Sequence, residues 1–335
     1  TAQSLDAATL GVACSWTDAA RIDDILPDAG ISAQLAGWLL QRAQTPTTAG
    51  AVVTGRRAVP TVKATRRAVQ LGEAGHLAAI LTEPRVAPRT VCILVNAGLV
   101  PKFGPHRLYE QIAQGLAENG VATLRLDLAG IGDSVHEAVN YPLQQRVTRD
   151  VAAAVEWATA EFAPTDIVVG GLCSGSEDAL RFAALDSRVT GAILIDGFGY
   201  PTDGWRWRQM TLRAARRSLR ALGAYQPLTY ERVVINGGSQ QGQAVVRYRY
   251  MAQADARALL TPLVARRAHL HFLYTGGSGL VNHRRQMRDM FPEFAVDAIA
   301  VDYFGEIEHT QMLAADRATI VTAIVQRLRA ATRSA

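Results

Sequence analysis

The sequence predicts an α/β protein built on a mostly parallel, doubly wound sheet, and three observations carry that expectation. Unbroken apolar runs such as "TVCILV" and "DIVVGGL" are of strand length and suit strands buried on both faces. Segments with apolar residues at helical i, i+4 spacing alternate with those runs. The chain has 335 residues, 49% of them hydrophobic and 19% charged, which is enough to bury a full core and too apolar for disorder.

Taken in order, residues 1–65 read as an N-terminal extension of helices and loops. Leu35, Leu39 and Leu40 lie on one side of a helical segment that ends in the turn-rich "TPTTAG". From residue 66, "RRAVQL" and "GHLAAILTEP" form a hairpin bridged by Gly-Glu-Ala-Gly. "TVCILVNAG" is the next strand. A helix over 106–119 follows, with Leu108, Ile112 and Leu116 on one face and Gly120 as its stop. "VATLRLDLAG" is a strand, and 143–162 a helix whose inner face carries Val147, Val151, Val155 and Ala158. "DIVVGGL" leads into the helix "SGSEDALRFAAL". "VTGAILID", "HLHFLYTGG" and "AIAVDYFG" complete the strands. A helix over 311–329 closes the chain, with Ile320, Ile324 and Leu328 in register. The interval 200–267 is far longer than a crossover helix needs, and is expected to be a lid or cap inserted into a core of 66–199 and 268–335.

Several function classes are disfavoured. The formal charge of +5 comes almost wholly from arginine, Lys63 and Lys102 being the lysines. That balance suits an acidic or phosphorylated partner without demanding one. No zinc finger, RNA-binding signature or basic arm is present, so nucleic acid is not expected. No run approaches the ~20 apolar residues of a membrane span, and no basic start precedes an apolar block, so neither a span nor a signal peptide is expected. Cys14, Cys92 and Cys173 are too few and too scattered for a disulfide framework, which points to a reducing cytoplasm. Cys92, inside "VCILV", reads as a buried hydrophobe. With no Cys/His grouping at zinc spacing and no phosphate loop, no metal or cofactor is expected.

The chemistry concentrates at "GGLCSGSE". Its frame is Gly171-Leu172-Cys173-Ser174-Gly175, with a strand before it and a helix after it. That context belongs to a nucleophile elbow with cysteine in place of serine. The glycines permit the tight turn, and the helix N-terminus beside position 173 favours an anion there. A chance Gly/Ser turn, and Ser174 or Ser176 as nucleophile, are the weaker alternatives. His309, after the last strand and before the last helix, is the expected base. His76, His136, His269, His271 and His283 fit less well. The loop after the penultimate strand, "YTGGSGLVNH", offers no carboxylate. Asp196, ending "AILID", is therefore the expected acid, in the order Cys173, Asp196, His309, with Glu306 and Glu308 as substitutes. The oxyanion donors expected are the Ser174 N–H and that of Gly98 or Leu99. His106, Trp205 and Trp207 are the candidate substrate-binding residues.

"LVNAGLVPKFGPHRLYEQIAQGLAENGVATLRLDLAGIGDS" and "GGLCSGSEDAL" together resemble the α/β-hydrolase superfamily, most closely exosortase-associated and serine-aminopeptidase-like hydrolases with a cysteine at the elbow. The resemblance covers about residues 68–200 and 268–330. It implies an α/β-hydrolase fold and acyl-transfer chemistry, with Cys173 as nucleophile and His309 as base. The departure is the missing acid after the penultimate strand.

Three readings follow. The first is hydrolysis of an ester or thioester through an acyl-cysteine. The second uses the same intermediate for acyl transfer or cyclisation, with Arg213, Arg217 and Arg220 on one helical face receiving an acidic acyl carrier protein or the phosphopantetheine phosphate of a CoA-type donor. The third is a non-catalytic binding protein on the same fold.

Overall fold

The computed structural model describes residues 64–135, 141–221, 251–295 and 298–333. Most of the 1–65 extension, His136 and the middle of the 200–267 insertion lie outside them.

The apolar runs fold as strands because only a sheet interior hides such segments on both faces. β3 (Thr90–Val95) and β4 (Val121–Leu126) are buried at every position. β5 (Asp166–Leu172), β6 (Val189–Ile195) and β7 (His269–Thr275) are nearly so. β8 (Ile299–Phe304) is half-buried throughout, as an edge strand. β1 (Ala64–Leu71) and β2 (Leu77–Pro84) make the expected hairpin, Leu71 pairing with Leu77, and Gly72 and Gly75 take the positive φ that its turn needs. The eight strands form one sheet in the order β1-β2-β4-β3-β5-β6-β7-β8. It is antiparallel from β1 through β2 to β4 and parallel from β4 onward.

Helices cover both faces. α1 (Leu108–Ala117) and α7 (Ala314–Arg333) share a core with Cys92, Leu94, Ile193 and Leu273. α2 (Leu143–Phe162), α3 (Ser174–Leu185) and α5 (Gln253–Ala265) bury Val151, Leu180 and Leu260 on the other face, against Ile93, Val169 and Leu194. Two helices start later than their apolar spacing predicts, and for one reason. His106 and Arg107 before α1, and Gln311 before α7, have left-handed backbones that no α-helix can contain.

The insertion is also narrower than expected. Tyr200 Oη donates to Met251 O, Met251 N–H donates to Glu177, and Ala256, Leu260 and Leu263 of α5 are core residues. The chain from residue 251 onward is therefore part of the sheet's own helical cover. α4 (Asp203–Ala221) differs, leaving Trp207, Met210 and Leu212 exposed. A short helix, α6 (Gln286–Met290), lies before β8. Among the described residues no helix is long and apolar enough to cross a membrane.

Candidate active site

The carboxyl ends of β3, β5, β6 and β7 meet at one edge of the sheet, where a doubly wound fold gathers its chemistry. At the end of β5 the chain turns sharply. Cys173 has φ 58° and ψ −120°, a conformation that costs a non-glycine residue energy and that its neighbours must enforce. Its N–H donates to Ile195 O at 2.8 Å. Both flanking glycines are required by contact. A Cβ on Gly171 would sit 2.5 Å from the Gly175 carbonyl carbon, and one on Gly175 would meet the carbonyl oxygens of Val95 and Asn96. From below, Tyr109 Oη donates to Val95 O at 2.9 Å and accepts the Leu172 N–H at 2.7 Å. This phenol ties β3 to β5 beneath the turn. Cys173 emerges half-buried at the head of α3.

Asp196 ends β6 and is fully buried. Its φ of 47° turns the side chain toward β7. Oδ1 accepts the Thr275 N–H at 2.7 Å, and Oδ2 accepts the Thr275 hydroxyl at 2.6 Å and His309 Nδ1 at 3.0 Å. The imidazole is 32% exposed and open to a ligand. The Asp196 hydrogen bond raises the His309 pKa to about 10, and the Cys173 side chain, its second polar neighbour, adds to that rise against the opposing effect of burial. The ring is therefore an imidazolium at neutral pH. Gly276 and Gly277 let the loop after β7 lie against the backbone of 305–309, where Gly277 N–H donates to Ile307 O.

Opposite the elbow, the loop after β3 is clamped from below. Asn96 donates to Val100 O and Asp127 Oδ1, and its own Oδ1 accepts the Leu128 N–H. Lys102 is buried, with Nζ 2.6 Å from Asp127 and 2.5 Å from Asp133. Burial pulls the pKa of this amine down, but the two carboxylates outweigh it and hold it above the ordinary value. At the loop tip Gly98 takes φ 58°, and its N–H donates to Ser174 Oγ at 2.8 Å. Leu99 is 86% exposed.

The structure thus brings Cys173, His309 and Asp196 together and sets Gly98 against Ser174. Glu306 and Glu308 take no part in the Asp196–His309 hydrogen bonding. His106 is exposed and stands outside that network. Trp205 is half-buried, its Nε1 donating to Gly279 O in the loop after β7. Trp207 projects from the opposite side of α4, 66% exposed, and the structure does not bring it to the site. Arg213 and Arg217 are exposed on the same helix.

Sequence reasoning missed Thr275 and Tyr109. Each lies at the site only because its strand or helix is packed there, and a threonine ending "HLHFLYT" carries no signal of its own. Among the described residues no three His, Cys, Asp or Glu side chains group as a metal site.

The comparisons agree with this geometry at the level of fold and family. A family model described as serine aminopeptidase, S33, matches residues 97–288, more than half of the chain. That span takes in the Gly98 loop, the elbow and Asp196 and ends before His309. The structure is similar to an esterase from Pyrococcus furiosus, with a TM-score of 0.52 and 12% identity over 80% of this chain and 91% of that one. It is also similar to a hypothetical protein from Pseudomonas aeruginosa, with a TM-score of 0.50 and 18% identity over 80% of this chain and 95% of that one. At such identities the likeness is one of fold. No curated protein matches the sequence.

Proposed function

The chain belongs to the serine aminopeptidase (S33) family of α/β hydrolases, and from that premise we propose that it cleaves esters or thioesters of a small-molecule acyl group through an acyl-cysteine on Cys173. One observation carries the reading. The side chain presented by the strained turn at the head of α3 is a thiol, and beside it stands a histidine held cationic by a buried carboxylate.

The nucleophile acts as a thiolate, with its proton held on His309. Sγ attacks the carbonyl carbon, the C–S bond forms, and the C=O electron pair moves onto oxygen. The Ser174 N–H, which has no partner among the described residues, and the Gly98 region supply the donors for that oxyanion. Collapse breaks the bond to the leaving alcohol or thiol, which takes its proton from His309. The acyl group is now a thioester on Cys173 and His309 is neutral. Water gives His309 a proton as it attacks the thioester, the C–S bond breaks, and the carboxylic acid leaves with Cys173 and His309 free for the next cycle. Asp196 accepts from Nδ1 throughout, which fixes the tautomer and keeps Nε2 as the atom that exchanges the proton.

The test is intact-protein mass spectrometry during turnover of p-nitrophenyl acetate and butyrate and a matched acyl-thioester series. The expected result is a transient mass gain of one acyl group in the native protein and none in Cys173→Ala. Turnover that survives in Cys173→Ala, or a stable adduct mapped to Ser174 or Ser176, overturns the cysteine assignment.

A further inference from the structure

The Gly98 amide is the expected oxyanion donor of the loop after β3, yet it does not stand open. It donates to the hydroxyl of Ser174. An amide already engaged cannot hold a substrate oxygen unless that hydroxyl moves away or acts in its place. The hydroxyl is equipped to act. Having accepted from Gly98, it retains one hydrogen, and no hydrogen bond from Ser174 Oγ to an acceptor is found among the described residues. Ser174 follows the nucleophile directly, and its own N–H, in the first turn of α3, has no partner among the described residues. A serine can offer N–H and O–H to one oxygen atom, both groups springing from the same Cα. The N–H of Gly98 polarises the hydroxyl and makes it a stronger donor than a free one.

We propose that the Ser174 hydroxyl is a catalytic donor of the oxyanion hole, relaying the Gly98 amide to the tetrahedral intermediate formed on Cys173. This rests on the acyl-cysteine reading above. In the step concerned, Sγ bonds to the carbonyl carbon and the C=O pair becomes the oxyanion. That oxygen accepts from Ser174 N–H and Ser174 Oγ–H, while Gly98 N–H remains on Oγ. No proton is transferred from Ser174, and when the C=O bond re-forms both donors stay where they were. The clamp of Asn96, Lys102 and Asp127 below the loop holds Gly98 in place for this duty.

The alternative is that the hydroxyl obstructs the hole and must be displaced, and the two differ in the sign of one experiment. Ser174→Ala, Ser174→Thr and the native protein are compared by the rate of p-nitrophenolate release in the acylation phase with p-nitrophenyl butyrate. They are compared again by affinity for an alkyl trifluoromethyl ketone, which captures the thiolate as a tetrahedral adduct. The relay predicts that Ser174→Ala acylates about 10- to 100-fold more slowly at nearly unchanged KM. It also predicts that trifluoromethyl ketone affinity falls in parallel, whereas affinity for the unreactive alkyl amide of the same chain holds. Ser174→Thr, which keeps a hydroxyl, should recover most of both. An equal or faster rate in Ser174→Ala overturns the proposal in favour of obstruction, and a threonine variant as slow as alanine overturns it in favour of packing. Either result leaves the acyl-cysteine reading standing, provided the acyl adduct still appears on Cys173. Native-like turnover in Cys173→Ala instead removes both.

Discussion

Asp196→Asn is the substitution that most directly tests how this site holds its charge. The carboxylate takes three hydrogen bonds, from Thr275 N–H, Thr275 Oγ1–H and His309 Nδ1–H, and its bond to the imidazole is the largest cause of the raised His309 pKa of about 10. An amide can keep the Thr275 N–H on its oxygen, but it then turns its NH₂ toward His309. Nδ1 must become the acceptor and the ring falls back toward its ordinary 6.5. At pH 8 a group titrating at 10 is about 99% protonated, and one at 6.5 about 3%. The variant therefore exchanges a resting imidazolium for a neutral ring in the wrong tautomer. Acylation should slow by about 10² to 10⁴, with the lower end favoured because a thiol depends less on the acid than a hydroxyl does.

The assay is a titration of the His309 ring by ¹H–¹³C correlation from pH 5 to 11, on native and variant proteins carrying labelled histidine. A second observable follows from linkage. A histidine held near 10 binds its proton more tightly folded than unfolded. Its contribution to stability is thus complete below about pH 6.5 and is lost as pH rises through about 10. The gap in urea midpoint between native protein and Asp196→Asn should be widest near pH 6 and narrow toward pH 10. A native His309 that titrates near 6.5, or a variant whose His309 still titrates near 10, would refute the reasoning.

Two further substitutions probe the supports of the site. Gly175→Ala drives a methyl into the backbone carbonyls of Val95 and Asn96, which have no side-chain freedom with which to yield. A loss beyond the ~1–3 kcal/mol of ordinary overpacking is expected, read from urea denaturation, and an unchanged midpoint would contradict the close approach. Lys102→Met leaves Asp127 buried without its cation and should cost about 3–5 kcal/mol. Pairing it with Asp127→Asn should restore part of that stability, and strict additivity of the two losses would argue against the ion pair.

The parts of the fold that were legible in the sequence are those set by local periodicity. The buried strands announce themselves as apolar runs, and α2 fills the predicted span because nothing at its ends opposes the pattern. The hairpin is written in its glycines. Helix starts were misjudged at His106 and Gln311 because left-handed backbone at a non-glycine residue is imposed by tertiary packing and leaves no mark in composition. The extent of the insertion was misjudged too, since α5 carries a weak pattern interrupted by Pro262 and shows its membership of the core only through what it packs against. At the site, the elbow was legible because the turn demands glycines at fixed spacing. Asp196 was reached by elimination, from a β7 loop without a carboxylate. Thr275, Tyr109 and the Ser174–Gly98 bond were not legible, since each joins segments brought together only by the folded sheet.

The position of Asp196 on β6 has a consequence for how this scaffold can diversify. Thr275, the last residue of β7, holds the Asp196 carboxylate, and residues 276–282 after it carry no charge. Gly276 and Gly277 lie against the His309 loop, and the chain beyond them anchors α4, Gly279 receiving the Trp205 indole and Asn282 donating to the Trp205 carbonyl. The carboxylate that holds His309 and the docking of the outer helix are thus assigned to different strands. Changes in residues 279–282 would re-aim α4, whereas Gly276 and Gly277, packed on the His309 loop, must stay as they are to keep the geometry of the Asp196–His309 pair. The outer helix can therefore be repositioned by changes at 279–282 without rebuilding the hydrogen bonds of the Asp196–His309 pair.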